Sequence, residues 1–446
     1  MALRPAESVG GFLTREQIER NFADLHPPLG CAQAEIEAER CLYCYDAPCI
    51  VACPTSIDIP TFIRQIRTQN LQGSAETILD SNILGGTCGR ACPTEVLCEG
   101  ACVLNARGEE PVKIGALQRH AVETLMAEAN GHPFTRAPST GKRFAVVGAG
   151  PAGLAFAHRA ALLGHLVTIY EAKPKPGGLN EYGLAAYKMA EDFAQKEVEF
   201  VLGVGGISIE YGVALGHDMS LEQLRADHDA VFLGLGLGGV RRLGVPGEEL
   251  RGVVDAIAFI EAVRQAADKS TLPVGREVVV IGGGNTAIDA AVQAKRLGAR
   301  NVTLAYRRGE AQMGATEWER DLARLNGVAI RLWAAPVAVE GDGRVERVVF
   351  ETTELVDGKL RGTGEMVAIP ADMVLKAIGQ VLIPPGIEAL AFNGDKLAVD
   401  ADYQTSLPGV FAGGDCIATG EDLTVQAVED GKRAAHAVDR LIMKRG

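Results

Sequence analysis

Two stretches of the chain repeat one pattern of apolar and polar positions. In the first, a short β-branched and apolar run, Phe144 to Val147, leads directly into glycines. An apolar helical segment ended by Gly164 follows, and then a second run, Val167 to Tyr170, that stops at Glu171. In the second, Glu277 to Ile281 leads into Gly282-Gly-Gly284, a helical segment capped by Gly298, and a run from Val302 to Tyr306. Short apolar runs bounded by glycine read as buried strands, and the amphipathic stretch between each pair reads as a crossover helix. Asp229 to Gly238 reads as another buried strand, whose closing glycines let the backbone approach a ligand. The chain before residue 140 has a different pattern. Thr14 with Gln17 forms a capping box, Pro27-Pro28 breaks the helix it opens, and Pro60, Phe62, Ile63 and Ile66 mark an amphipathic helix.

Both repeated units carry the glycine spacing of a dinucleotide fingerprint in its strand–turn–helix–strand setting. In Gly148-Ala-Gly150-Pro-Ala152-Gly153, the first glycine permits the turn, the second lets the backbone approach a pyrophosphate, and the third lets helix and strand pack closely. The helix N-terminus presents unpaired N–H groups to the phosphates. Glu171, about 20 residues on, is placed to accept hydrogen bonds from a ribose diol. The second unit, Gly282-Gly-Gly284-Asn285-Thr286-Ala287, has alanine as its third small residue. Its strand ends on Tyr306 followed by Arg307 and Arg308, with no carboxylate for a 2′-hydroxyl. Two guanidiniums there suit a 2′-phosphate, which favours NADPH over NADH. The alternative is a pair of solvated charges after a strand.

A length of 446 residues suggests about three domains at ~150 residues each. A net charge of −13 argues against nucleic acid as a partner, since phosphates demand a basic footprint. The first thirty residues carry Arg4, Glu7, Arg15, Glu16 and Glu19 and no apolar signal core, and the longest apolar run is the first fingerprint itself. A cytoplasmic protein with no membrane segment is expected.

Nine of the ten cysteines lie between Cys31 and Cys102, which in a cytosolic chain suggests metal rather than disulfides. Cys41-x2-Cys44-x4-Cys49-x3-Cys53-Pro is close to the ferredoxin arrangement, in which the fourth cysteine serves a second cluster. Cys88-x3-Cys92-Pro-x4-Cys98-x3-Cys102 follows. Structural zinc is the alternative, but it usually presents paired C-x2-C units and only one such pair exists here. Cys31 stands alone and reads as an ordinary buried thiol. Eight cysteines suffice for two [4Fe–4S] clusters by count, and counting does not apportion them.

Cys-Leu-Tyr-Cys-Tyr-Asp-Ala-Pro-Cys (41–49), Cys-Pro-Thr-Glu-Val-Leu-Cys (92–98) and Ile-Gly-Ala-Leu-Gln-Arg (114–119) resemble the N-terminal domain of dihydropyrimidine dehydrogenase. The wider resemblance is to the small subunit of glutamate synthase and its relatives. It implies that Cys41, Cys44, Cys49 and Cys102 hold one cluster, and that Cys53, Cys92, Cys98 and Gln118 hold the other, with Cys88 a bystander. On spacing alone, Gln118 would be a polar residue on a solvated helix face. The resemblance further implies that Gly177, Gly178 and Leu179 pass near a flavin ring with Lys188 close by. Thr405 to Asp415 resembles the second flavin motif of disulfide-reductase-like enzymes. There Gly414 and Asp415 would meet the ribityl chain of FAD, and a helix from Thr424-Val425-Gln426 would aim its N-terminus at the flavin. Ala377 and Gly379 match a glycine-ended strand beside the nicotinamide, and Gly314 stands where some relatives carry a basic residue.

The expected fold is α/β with a helical N-terminal iron–sulfur domain and two Rossmann-like domains, one inserted in the other. The expected boundaries are 1–140 for the cluster domain, 141–252 with 383–446 for FAD, and 253–382 for NAD(P)H. The expected activity takes hydride from NADPH, or NADH, onto FAD and passes electrons through the clusters, with no catalytic acid or base. An FMN barrel needs about 250 residues, which this chain does not leave over. A separate FMN subunit in a hetero-oligomer would therefore reduce uracil or thymine. The alternatives are a glutamate synthase small subunit or similar module, and a non-catalytic, zinc-stapled FAD- and NADPH-binding adaptor.

Overall fold

The computed structural model describes residues 13–128, 131–383 and 386–444; the leader positions Arg4 and Glu7 lie outside the described residues. The chain divides into two compact units, one comprising 26–181, 191–239 and 381 onward, the other ending at Leu25 and comprising also 182–190 and 240–380. Each is built around a five-stranded parallel sheet.

In the first unit the strand order is Val410–Ala412, Ala230–Leu233, Arg143–Val147, Leu166–Glu171 and Ile207–Tyr211. Phe144, Val146, Ile169 and Phe232 are fully buried, as a sheet covered on both faces requires. The crossover helix Pro151–Leu162 packs under this sheet with the long helix Thr424–Met443, where Gly431 lies so close that a Cβ would fall 2.1 Å from the Ala152 carbonyl oxygen. The cysteine-bearing helices belong to the same unit. Helix Ile59–Arg67 starts at the Asp58 cap and buries Phe62, Ile63 and Ile66, as its spacing predicts. Cys31 differs from expectation. It is exposed, because it takes the first position of helix Cys31–Glu39 while Ala34 and Ala38 supply the buried face.

In the second unit the order is Val253–Asp255, Met373–Lys376, Glu277–Ile281, Asn301–Ala305 and Ala329–Arg331. A three-stranded antiparallel sheet, Ala334–Glu340, Arg347–Val356 and Lys359–Pro370, also belongs to this unit and was not foreshadowed by the apolar pattern. Helix Arg15–Asn21 opens on the expected Thr14–Gln17 capping box, and its Ile18, with Phe22, joins the core around Phe259 and Ile288. Among the described residues no helix is long and apolar enough to cross a membrane.

Candidate cofactor sites

The first fingerprint forms a tight cradle in the first unit. Gly153 has no room for a side chain, since a Cβ would fall 2.0 Å from the Gly148 carbonyl oxygen. Gly150 is open except for Gly178, whose α-carbon lies 3.8 Å from where a Cβ would stand, so the two loops close on each other. The helix beginning at Pro151 has Gly150 as its cap residue and no side-chain cap, unlike the helices closed by Thr14 or Ser220. Its N–H groups are thus left for an anion. The Glu171 carboxylate is buried and aimed by two backbone donors, Ala149 N at 2.7 Å and Lys173 N at 2.8 Å.

The distant flavin residues come to the same place. Gly414 lies against Ala152, with a Cβ position 2.9 Å from that methyl, and Thr424 Oγ1 donates to Asn180 Oδ1 at 2.8 Å, beside Leu179. The Thr424–Met443 helix also begins without a side-chain cap. Burial, with the Asp422 charge adding to it, pushes the Asp415 carboxyl up to about 6. Hydrogen bonds donated to this carboxylate would favour its charged form and offset that rise. Val425 is buried, and Gln426 is committed to Asp430, donating from Nε2 at 2.9 Å. Asp430, missed in the sequence, also accepts from Gly414 N at 3.0 Å and from the Tyr403 hydroxyl at 3.2 Å, so it braces the motif from behind. These donors, glycines and open helix ends fit a dinucleotide.

Lys188 belongs to the second unit, buried, with Nζ 2.8 Å from Asp289 and 2.5 Å from Glu319. Its charge is engaged by these two carboxylates. Burial alone would lower its pKa, but the paired Asp289 and Glu319 outweigh that and raise it. Neighbouring Tyr187 donates to Asp289 at 3.1 Å and lies under the Arg296 guanidinium at 4.0 Å.

The second fingerprint has the same plan. Helix Asn285–Arg296 starts after Gly284 with no side-chain cap, and Gly284 has open space where a Cβ would be. Gly282 lies against the Ala377 carbonyl, which brings the fingerprint and the Ala377–Gly379 strand end together. Asn285 Oδ1 accepts from Thr316 N at 3.3 Å, next to a half-buried Thr286. Past the strand, the Arg307 and Arg308 carbonyls accept from Thr353 Oγ1 at 2.8 Å and Trp333 N at 3.1 Å. Their backbone is fixed, Arg307 is exposed, and among the described residues neither guanidinium has an ion-pair partner. Gly314 faces Gly284 at 4.0 Å and adds no charge.

Cys41, Cys44, Cys49 and Cys102 line one pocket, walled by the apolar side chains of Ile59 and Ile63 among others. Burial, with the Cys41 sulfur adding, pushes the Cys49 thiol up to about 11. The second set gathers too. Burial raises the Cys92 thiol, and its neighbours Cys88, Cys98 and Cys53 add to the rise. Crowded buried thiols of this kind fit a metal cluster, because a coordinating thiol is deprotonated outright. Among the described residues no three His, Cys, Asp or Glu side chains are grouped around a single metal ion. Thr55, another residue that spacing does not reveal, places its hydroxyl 3.3 Å from Cys53 Sγ. Gln118 is buried rather than solvated, and its Nε2 donates to the Gly85 carbonyl at 2.7 Å. With the amide nitrogen used, the oxygen is the atom left to act as a ligand. Cys88 is also buried.

A family model described as dihydropyrimidine dehydrogenase domain II, 4Fe-4S cluster, matches residues 18–130, and one described as pyridine nucleotide-disulphide oxidoreductase matches residues 142–431. The glutamate synthase [NADPH] small chain of Escherichia coli K12 is 34% identical, covering 94% of this chain and 93% of its own. The NAD-dependent dihydropyrimidine dehydrogenase subunit PreT of the same organism is 35% identical, covering 94% and 97%. Mycobacterium tuberculosis FprA in complex with NADPH has the same fold, with a TM-score of 0.59 at 21% identity over 69% of this chain and 85% of that one. Glycine cradles, uncapped helix ends and clustered thiols thus agree with both matches, and the chain belongs to the pyridine nucleotide-disulphide oxidoreductase family, as an NAD(P)H-dependent flavin and iron–sulfur oxidoreductase with a dihydropyrimidine dehydrogenase type of [4Fe-4S] domain.

Proposed function

We propose that this chain is the cytoplasmic electron-input subunit of a hetero-oligomeric dihydropyrimidine dehydrogenase. It takes hydride from NADPH onto FAD and sends electrons through two [4Fe–4S] clusters to a separate FMN barrel subunit that reduces uracil or thymine. In this reading residues 1–140 serve the clusters, 141–252 with 383–446 serve FAD, and 253–382 serve the nicotinamide nucleotide. The observation that carries it is that the cysteine helices and the flavin fingerprint share one compact unit. Lys432 of the last helix fastens them by donating to the Ser81 carbonyl at 2.7 Å.

The bound flavin supplies the exchange of a hydride for single electrons. The chain's residues do the binding and orienting. Glu171 receives the ribose diol, the Pro151 and Thr424 helix ends meet phosphate and flavin ring, and Asp415 takes ribityl hydroxyls. Cys41, Cys44, Cys49 and Cys102 hold the first cluster, and Cys53, Cys92, Cys98 and Gln118 hold the second. The test is reconstitution. The isolated chain should oxidise NADPH with artificial acceptors and leave uracil untouched until an FMN subunit is added. Uracil reduction by the chain alone would overturn the separate-barrel reading.

A second reading is the small subunit of glutamate synthase, supported by the near-equal identity of those chains. A co-purifying glutaminase-bearing subunit would select it.

The relatives also divide over the nucleotide, one being named for NADPH and the other for NAD. Here the unpaired Arg307 and Arg308 support NADPH. A hydrogen bond to a charged group is worth about 1.5–3 kcal/mol. Replacing both arginines with Ala should raise KM for NADPH at least about tenfold, the equivalent of ~1.4 kcal/mol, and leave NADH much less affected. Wild-type preference for NADH would defeat the assignment.

A further inference from the structure

We infer that Glu197, a buried carboxylate on the flavin-side helix Phe193–Leu202, is the positioning residue for the second cluster, acting through the turn Gly85-Gly86-Thr87 on Gln118 and Cys92. The inference rests on the proposed ligand set and adds a residue to it.

Helix Gly85–Ala91 is a poor helix by its own composition, with glycine at 85, 86 and 89 among seven residues. Each interior glycine costs about 1 kcal/mol relative to alanine, so the helix depends on what clamps it. Its lower face is pressed on helix Ile114–Glu128: a Cβ on Gly89 would fall 2.9 Å from Arg119 N and 3.0 Å from the Gly115 carbonyl oxygen. Its first turn is pressed on the flavin side, where a Cβ on Gly86 would fall 2.3 Å from Phe193 Cζ and 2.9 Å from Glu197 Oε1. The glycines are the contact points.

Glu197 closes this first turn from outside. Its Oε1 accepts from Thr87 N at 2.9 Å, and its Oε2 accepts from the Thr87 hydroxyl. The helix has no side-chain cap of its own from Leu84, so this carboxylate from 110 residues away does that work. Two consequences follow for the cluster. The Gly85 carbonyl is held in place, and it accepts from Gln118 Nε2 at 2.7 Å, which engages the amide nitrogen and leaves the carboxamide oxygen as the atom able to act as the ligand. The other end of the same helix is capped by Cys92, whose N–H donates to the Cys88 carbonyl at 3.0 Å. One carboxylate therefore sets both the odd ligand and one of the thiolates.

The experiment measures iron content, EPR spectra and the potential of each cluster in the full-length protein. Glu197→Ala should lose or shift the second cluster's signal and leave the first cluster and the FAD absorbance unchanged. Glu197→Gln, which can still accept from Thr87 N, should keep both clusters. Thr87→Val removes only the hydroxyl contact and should shift the second potential alone. Wild-type spectra and potentials in Glu197→Ala, or an unshifted potential in Thr87→Val, would overturn the inference. Gln118→Ala separates the two claims. If it leaves the spectrum intact while Glu197→Ala alters it, the glutamine ligand fails and the clamp acts through Cys92. If the reverse is found, the clamp fails and the ligand stands.

Discussion

Lys188→Met should destabilise the unit that contains the second fingerprint by roughly 3–5 kcal/mol, the cost of leaving a buried charge without its partner. Lys188 neutralises two carboxylates at once, Asp289 at 2.8 Å and Glu319 at 2.5 Å, and all three side chains are less than a tenth exposed. Removing the ammonium leaves two like charges in an apolar setting next to Tyr187 and the helix that follows the glycine turn. The pH dependence has a definite sign. The lysine's pKa is raised in the folded protein, so its contribution is complete below its ordinary value of 10.5 and is lost only as the solution becomes strongly alkaline. In the variant the stranded carboxylates would have raised values, so the deficit should be smallest in acid and grow toward neutral pH. Both tryptophans, Trp318 and Trp333, lie in this unit, so their fluorescence during urea unfolding reports on it directly. Adding Glu319→Gln to the variant should recover part of the loss. A loss under about 1 kcal/mol at pH 8, with no dependence on pH, would mean that the triad is solvated and unimportant.

That triad also marks where sequence reasoning stops. Period and glycine spacing are local, so both βαβ units, the Thr14 capping box and the buried face of helix Ile59–Arg67 could be read from adjacent residues. The role of Lys188 could not. Its acidic partner Glu319 lies 131 residues away, and the segment 182–190 folds with the second unit although the chain on either side folds with the first. Glu197 was silent for the same reason. A glutamate in an amphipathic helix gives no sign that its partner is a threonine in a glycine-rich turn. Gln118 was legible only by resemblance, because a carboxamide on helix Ile114–Glu128 is chemically ordinary until a carbonyl such as Gly85's fixes its nitrogen. The antiparallel sheet gives a weak signal because Lys359–Pro370 is largely exposed, with only Leu360, Val367 and Ile369 half-buried along it.

The choice between Gln118 and Cys88 has the largest functional consequence, since it decides what completes the cluster begun by Cys53, Cys92 and Cys98. Chemistry alone favours Cys88, because thiolate is the softer ligand for iron. It is buried and neighbours Cys92, so proximity does not exclude it. Ionisation does not separate it from the proposed ligands either, since burial raises the Cys88, Cys92 and Cys98 thiols alike. What favours Gln118 is its placement: it is buried, and its amide is already oriented by the Gly85 carbonyl. A neutral oxygen ligand would make the cluster's net charge less negative by one than a fourth thiolate would, and net charge is one of the factors that set reduction potential. Cys88→Ser should therefore keep both clusters with unchanged spectra. Gln118→Ala should lose or alter one of them, and Gln118→Cys should retain a cluster whose potential is lowered by the added negative charge. Iron counts and EPR spectra of the three proteins decide the matter. Loss of a cluster in Cys88→Ser, together with a wild-type spectrum in Gln118→Ala, would move the ligand role to Cys88 and leave Gln118 as a hydrogen-bonded brace between two helices.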